Sequence, residues 1–152
     1  MTADEYLKLR EPFLQNPLSV QLEKLEANLW RVALKDEPRE VVFETIRESQ
    51  HFVDWIVRSL QFDAHEELIA FLRVVMRQIS EWKAHWDKTW ETPERMRVQT
   101  RAWAEEVSNY AAEIREVETL WVQETERRFE QMEAGQMRVI LGEEVRKMTG
   151  GS

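Results

Sequence analysis

Hydrophobic residues recur along most of the chain at intervals of three and four residues, the period of one face of an α-helix. Three such runs cover residues 17–34, 38–60 and 63–90. A fourth begins at Pro93 and meets no helix-breaking residue before Gly135. The pattern therefore predicts four helices. The last would continue to Glu133, a length of about 40 residues or about 60 Å.

Short connections between the predicted helices favour antiparallel neighbours. A tight turn at Thr92 would pair residues of the third and fourth helices whose numbers sum to about 185. In that register Trp82 faces Trp103 and Leu68 faces Val117, so the two apolar stripes meet along their length. We predict an all-α fold, an antiparallel up-and-down four-helix bundle with a long C-terminal helix extending beyond it.

The last predicted helix changes character along its length. Its apolar stripe stops at Trp121, and nine glutamates stand against three arginines between residues 105 and 133. Apolar residues return after Gly135 with helical spacing, which indicates a short amphipathic segment. We therefore divide the chain into a bundle, residues 1–134, and a C-terminal amphipathic segment with a flexible end, residues 135–152.

The amphipathic segment has no evident place in the bundle core. It could fold back on the bundle, pair with a second copy of the chain, or dock into a groove of another protein. The residues that we predict to contact a partner lie on both sides of Gly135. They are Phe129, Met132, Met137, Ile140, Leu141, Val145 and Met148.

Composition narrows the possible functions. The 152 residues include no cysteine, which excludes disulfides and thiolate chemistry, and no glycine before Gly135, which removes phosphate-binding glycine loops. The net charge of −8 argues against a nucleic-acid partner. No apolar run reaches the ~20 residues needed to span a bilayer, and the N-terminus lacks the apolar region of a signal peptide. These features predict a cytoplasmic protein.

A cluster of tryptophans is the most conspicuous side-chain feature. Trp82, Trp86 and Trp90 follow one another at intervals of four residues, and the predicted register brings Trp103 beside them. The cluster could line a pocket for a flat apolar cofactor such as a tetrapyrrole. Aromatic stripes at helical spacing more often fill a core, which is the interpretation that we favour.

Metal binding and catalysis find little support in the sequence. Glu48 and His51 form one Glu-x-x-His unit, but a di-iron bundle needs a second unit on another helix. The last helix offers Glu113 and Glu116 without a histidine. We predict no catalytic residues, no metal and no cofactor, and therefore a protein that is not an enzyme.

Three stretches resemble small, uncharacterised all-helical proteins of cyanobacteria. They are Leu25–Val32 (LEANLWRV), Phe43–Trp55 (FETIRESQHFVDW) and Ile79–Trp90 (ISEWKAHWDKTW). The resemblance implies a cytoplasmic helical protein and carries over no catalytic residue. It does not include the chain after Trp121.

The sequence thus favours a non-enzymatic interaction, scaffold or adaptor protein. Its contacts would lie on the extended acidic helix and the C-terminal amphipathic segment, with another protein or a second copy as partner. The alternative is a binding protein for a flat apolar cofactor in a tryptophan-lined pocket of the bundle.

Overall fold

The computed structural model describes the backbone of residues 2–148 and the side chains of residues 2–136. This part of the chain is all-α, without strands, as predicted. It forms six α-helices rather than four, and a 3-10 helix. They are α1 (Ala3–Gln15), α2 (Leu18–Leu34), α3 (Arg39–Ser59), the 3-10 helix (Phe62–Ala64), α4 (Glu66–Ala84), α5 (Trp86–Glu91) and α6 (Pro93–Met148).

The helix α1 has no counterpart among the predicted helices. It starts with a capping box, in which the Thr2 hydroxyl accepts from the Glu5 N–H and the Glu5 carboxylate accepts from the Thr2 N–H. Only Tyr6 and Phe13 are buried, too few residues for a clear periodic signal. Pro12 also lies inside the helix, where proline removes a backbone hydrogen bond.

Aromatic contacts attach α1 to α3. The Tyr6 hydroxyl donates to Glu44 over 3.4 Å, and the Phe13 ring lies 5.4 Å from the Trp55 ring. Tyr6, near the start of α1, contacts Glu44 in the first half of α3, and Phe13, near its end, contacts Trp55 in the second half. The two helices therefore run parallel. The purely antiparallel arrangement predicted from the short connections is therefore incomplete, because it lacked this helix.

The third predicted helix, residues 63–90, is two helices. α4 ends at Ala84, and His85 takes φ −123° and ψ 44°, outside the helical region. The interruption brings Trp86 to 5.2 Å from Phe43 of α3, between ring centroids. The Thr89 hydroxyl donates to the Trp82 and His85 carbonyls, which partly replaces the interrupted helical hydrogen bonding.

The predicted register between α4 and α6 is confirmed at one end. Trp82 and Trp103 lie 5.1 Å apart, as the sum of 185 requires. Further along, Phe71 packs on Tyr110 at 5.6 Å, where the sum has fallen to 181. Val117, the residue that we predicted to face Leu68, is exposed.

The contacts divide the chain into two compact units, Met1–Ile114 and Arg115–Ser152. The first unit holds one apolar core with contributions from α1, α2, α3, α4 and the beginning of α6. Its fully buried members include Leu22, Leu25, Leu29, Ile46, Ile56, Leu72, Ile79, Met96 and Val107. In the second unit, the side chains described at large hydrophobic positions are exposed.

The helix α6 continues through Gly135, where we expected it to end. Glycine lowers helix stability by about 1 kcal/mol relative to alanine but does not prevent a helical conformation. Among the described residues, a methyl group added at Gly135 would meet no atom within 4 Å. The division into 1–134 and 135–152 stays a prediction.

Candidate protein-interaction surface on the long helix

Three large hydrophobic side chains stand exposed on α6 within little more than one helical turn. Val117, Leu120 and Trp121 have spacing i, i+3, i+4, which places them on one side of the helix. Trp121 is 68% exposed, whereas tryptophans in folded proteins are mostly covered. We call these three residues the tryptophan patch. A contiguous exposed apolar patch is typical of an interaction site.

Two members of this patch, Val117 and Trp121, were expected to continue the buried stripe of the last helix, whereas Leu120 lies off that stripe. In the structure the buried members of the stripe end at Val107, and Tyr110 and Ile114 are partly covered. Ile114 precedes Trp121 by seven residues, so coverage of the stripe ends about two turns before the position predicted.

Two of the predicted partner-contacting residues are described, and both are accessible. Phe129 is 60% exposed and Met132 is exposed to a similar degree. The other five predicted side chains lie outside the described residues: Met137, Ile140, Leu141, Val145 and Met148. Their backbone belongs to α6.

Ion pairs along the helix link several of its charged side chains. Glu124 accepts from Arg127 at 2.7 Å and from Arg128 at 3.2 Å. The hydrogen bond from Arg127 lowers the pKa of Glu124, so this carboxylate stays charged at neutral pH. These pairs support the helix locally, although exposed pairs of this kind contribute little stability.

The tryptophan cluster in the first unit is packed ring against ring. Trp82 contacts Trp103, and Trp86 lies 5.7 Å from Trp90. Next to Trp82 lies a cavity of about 290 Å³, but charged and hydroxyl side chains form most of its lining, among them Glu81, His85, Lys88, Thr89, Thr92 and Arg95. This arrangement favours the core interpretation over a pocket for a flat apolar cofactor.

The candidate metal unit is engaged in other contacts. Glu48 accepts from the Asn28 amide at 2.9 Å, and the His51 ring stacks on Tyr6 at 4.1 Å. Burial lowers the pKa of His51, and the nearby Arg47 and Lys83 charges lower it further. Across the described residues there is no group of three or more metal-ligating side chains.

Within the part of the chain that the structure describes, no helix combines the length and hydrophobicity required of a membrane span. The exposed apolar residues of α6 alternate with glutamates and arginines. Their setting resembles that of a protein-contacting helix face rather than of a lipid-embedded one.

Comparison with known proteins adds a family match on this helix. Residues 105–145 match the profile of the family Unstab_antitox, described as a "putative addiction module component". The match covers 41 of the 152 residues and includes both the tryptophan patch and Phe129. No curated protein and no solved structure shows significant similarity to the chain.

The comparisons do not support the expected similarity to cyanobacterial proteins. That resemblance rested on stretches of α2, α3, α4 and α5, whereas the family match lies on α6. The match falls on the helix to which the sequence analysis assigned partner contacts.

Proposed function

We propose that this chain is a non-enzymatic interaction protein of the antitoxin type, which binds and restrains a protein toxin through residues 105–145. The supporting observation is a coincidence of position. The stretch that matches an addiction-module family also carries the exposed tryptophan patch and Phe129. The first unit, with its closed apolar core, is the folded body that carries this binding segment.

The tryptophan patch supplies the apolar contact in this proposal. Trp121 offers a large rigid ring with few rotatable bonds, the kind of side chain that contributes most at interfaces. Val117 and Leu120 flank it on the same side of the helix, so one shallow apolar groove could cover all three. Water leaves this patch only when a partner binds, which gives the complex its driving force.

The negative charge of the matched segment indicates the kind of surface that would surround the groove on the partner. The matched segment holds eleven glutamates against four arginines. A partner with a basic rim would be attracted to it at long range and would bind more weakly at high salt. The same acidic balance disfavours direct binding to a phosphate backbone.

The titratable groups of the segment also fit a binding role better than catalysis. Burial raises the pKa of Tyr110, and Arg127 lowers the pKa of Glu124. Both shifts move the group away from neutral pH. A general acid or base works best when its pKa lies near the working pH, so neither residue is tuned for that task.

The experiment compares two glutamate substitutions on the same helix. Trp121→Glu places a charge in the tryptophan patch, and Val98→Glu is the matched control at a valine that is 71% exposed outside the matched segment. Both full-length variants are expressed with an affinity tag in the organism that encodes the chain. We expect a protein that copurifies with the wild type and with Val98→Glu to be depleted at least tenfold with Trp121→Glu.

The copurified protein is then expressed alone and together with the chain. We expect growth arrest when it is expressed alone and recovery when the wild-type chain is present, but not the Trp121→Glu variant. Equal recovery of the partner by both variants would remove the tryptophan patch from the interface. A partner that is harmless alone would refute the antitoxin role and leave a simple interaction protein.

A further inference from the structure

A second exposed face of α6 lies beside the tryptophan patch. It consists of Val122, Thr125, Phe129, Met132 and Gln136, which we call the exposed seam. These residues are separated by alternating intervals of three and four, the spacing of a coiled-coil interface. With a rotation of 100° per residue, the mean direction of the seam is about 100° from that of the tryptophan patch.

The side chains of the seam are accessible and mostly apolar. Val122, Phe129 and Met132 are exposed on their own helix. The Thr125 hydroxyl donates to the Trp121 carbonyl at 2.9 Å, so its polar atom is satisfied within the helix. A partner helix could therefore cover the Thr125 methyl group without leaving that hydroxyl unsatisfied.

The charges beside the seam are distributed unequally. In the heptad frame with Val122 and Phe129 at a, the e positions are Glu126 and Glu133, and Arg128 is at g. One flank of the seam is therefore acidic, and the other carries an arginine. The seam ends upstream because charged residues, Arg115 and Glu118, occupy the preceding a and d positions.

From this pattern we infer that the exposed seam pairs with a second copy of the chain in parallel alignment. In a parallel pair, each g residue faces the e residue five positions later on the other helix. Arg128 of each copy then meets Glu133 of the other, twice by symmetry. In an antiparallel pair the e flanks would face each other, and Glu126 would meet Glu133 with like charge.

This inference does not depend on the proposed function. In the heptad frame of the seam, Val117 is at c and Leu120 is at f, so pairing through the seam leaves both accessible. Trp121 is at g, beside the upstream end of the seam. In the single chain Arg128 is paired with Glu124, which Arg127 also contacts. Arg128 can therefore turn to a second copy while Glu124 keeps a partner.

Sedimentation velocity of the full-length protein over a concentration series tests the pairing. We expect a monomer–dimer equilibrium for the wild type and for the control Val98→Glu. Phe129→Glu puts a carboxylate into the seam and should weaken association at least tenfold. A wild type that stays monomeric at all concentrations would overturn the inference, as would undiminished association of Phe129→Glu.

Charge exchange tests which residues face each other. Arg128→Glu and Glu133→Arg should each weaken the dimer, because each places like charges opposite one another. The double variant restores opposite charges and should recover most of the affinity. Circular dichroism confirms that each variant keeps its helix content. A double variant weaker than both single variants would refute the Arg128–Glu133 contact.

The absence of cysteine from the chain allows a direct test of alignment. Gln136→Cys places one thiol at an a position, which faces its own equivalent only in a parallel dimer. We expect rapid disulfide formation between copies, and little with the matched control Gln131→Cys, a c position that points away from the seam. Crosslinking no faster for Gln136→Cys than for Gln131→Cys would contradict the parallel seam. Pairing of the seam only with a different protein would give that same result.

Discussion

Trp103 and Trp121 belong to the same helix and lie 18 residues apart, which is five turns of an α-helix. They therefore have the same position in the helical repeat, yet Trp103 is 4% exposed and Trp121 is 68% exposed. Trp103 packs on Trp82 of α4. The sequence period alone does not distinguish a core position from a surface position, because burial also requires other side chains that cover the residue.

The largest expected effect is the loss of stability when Trp103, but not Trp121, is truncated to alanine. Trp103→Ala removes a buried ring and should lower the free energy of unfolding by about 3–5 kcal/mol. Trp121→Ala should change it by no more than about 0.5 kcal/mol, because that ring contributes no core contact. Urea unfolding at a monomeric concentration measures both values. Similar losses for the two variants would erase the distinction between the two positions.

Two phenylalanines extend the comparison. Phe13 is buried and stacks on Phe52 at 4.6 Å, whereas Phe129 is exposed. Phe13→Ala should destabilise the first unit by about 3 kcal/mol, since it removes much of the attachment of α1. Phe129→Ala should leave the unfolding free energy of the monomer nearly unchanged. If Phe13→Ala were as mild as Phe129→Ala, α1 would not be an integral part of the core.

Acidification should affect the first unit through His51. Burial lowers the pKa of His51 in the folded state. The unfolded chain therefore takes up a proton near pH 6.5 before the folded chain does, so stability should fall as the pH drops below about 6.5. The charged neighbours on α3 and α4 are Arg47, Lys83, Asp54 and Glu48.

The variant His51→Phe keeps an aromatic ring against Tyr6 and removes the proton site. Its thermal stability should depend less on pH between 7 and 5 than that of the wild type. We expect the effect to be smaller than the losses caused by the two core substitutions. An unchanged slope in His51→Phe would exclude His51 as the cause.

The smallest effect is expected at Gly135, which lies inside α6 and has no described atom within 4 Å of an added methyl group. Gly135→Ala should stabilise the helix locally by about 0.5–1 kcal/mol, because alanine loses less backbone entropy. Far-UV circular dichroism should show more helix, while the urea midpoint of the first unit stays the same. A shift of that midpoint would mean that residue 135 contributes to the core.

The sequence predicted those helices whose long apolar stripe packs against another helix of similar length. Residues 18–34 and 39–59 form helices close to the predicted bounds, and the Trp82–Trp103 contact follows from counting around the turn. The helix α1 was not predicted, because two aromatic residues of its own, Tyr6 and Phe13, attach it to α3 instead of a periodic apolar stripe. The interruption at His85 depends on tertiary contacts of Trp86, for which the sequence carries no local signal.

The candidate site was predicted only in outline. The acidic composition of the last helix led to the prediction of partner contacts there, and the two described residues of that prediction, Phe129 and Met132, are exposed. Val117 and Trp121 of the tryptophan patch were expected in the core because they keep its spacing. Their exposure could not be predicted, because spacing does not show which side chains cover a residue.

Hydrogen exchange of the full-length chain, alone and with the copurified protein, tests the central claim most directly. For the free chain at a monomeric concentration, we predict strong protection around Trp103 and rapid exchange between residues 116 and 134. The copurified protein should slow exchange between residues 116 and 134 and leave α2, α3 and α4 unchanged. Equal protection of both parts in the free chain, or a gain of protection confined to the first unit, would contradict the account.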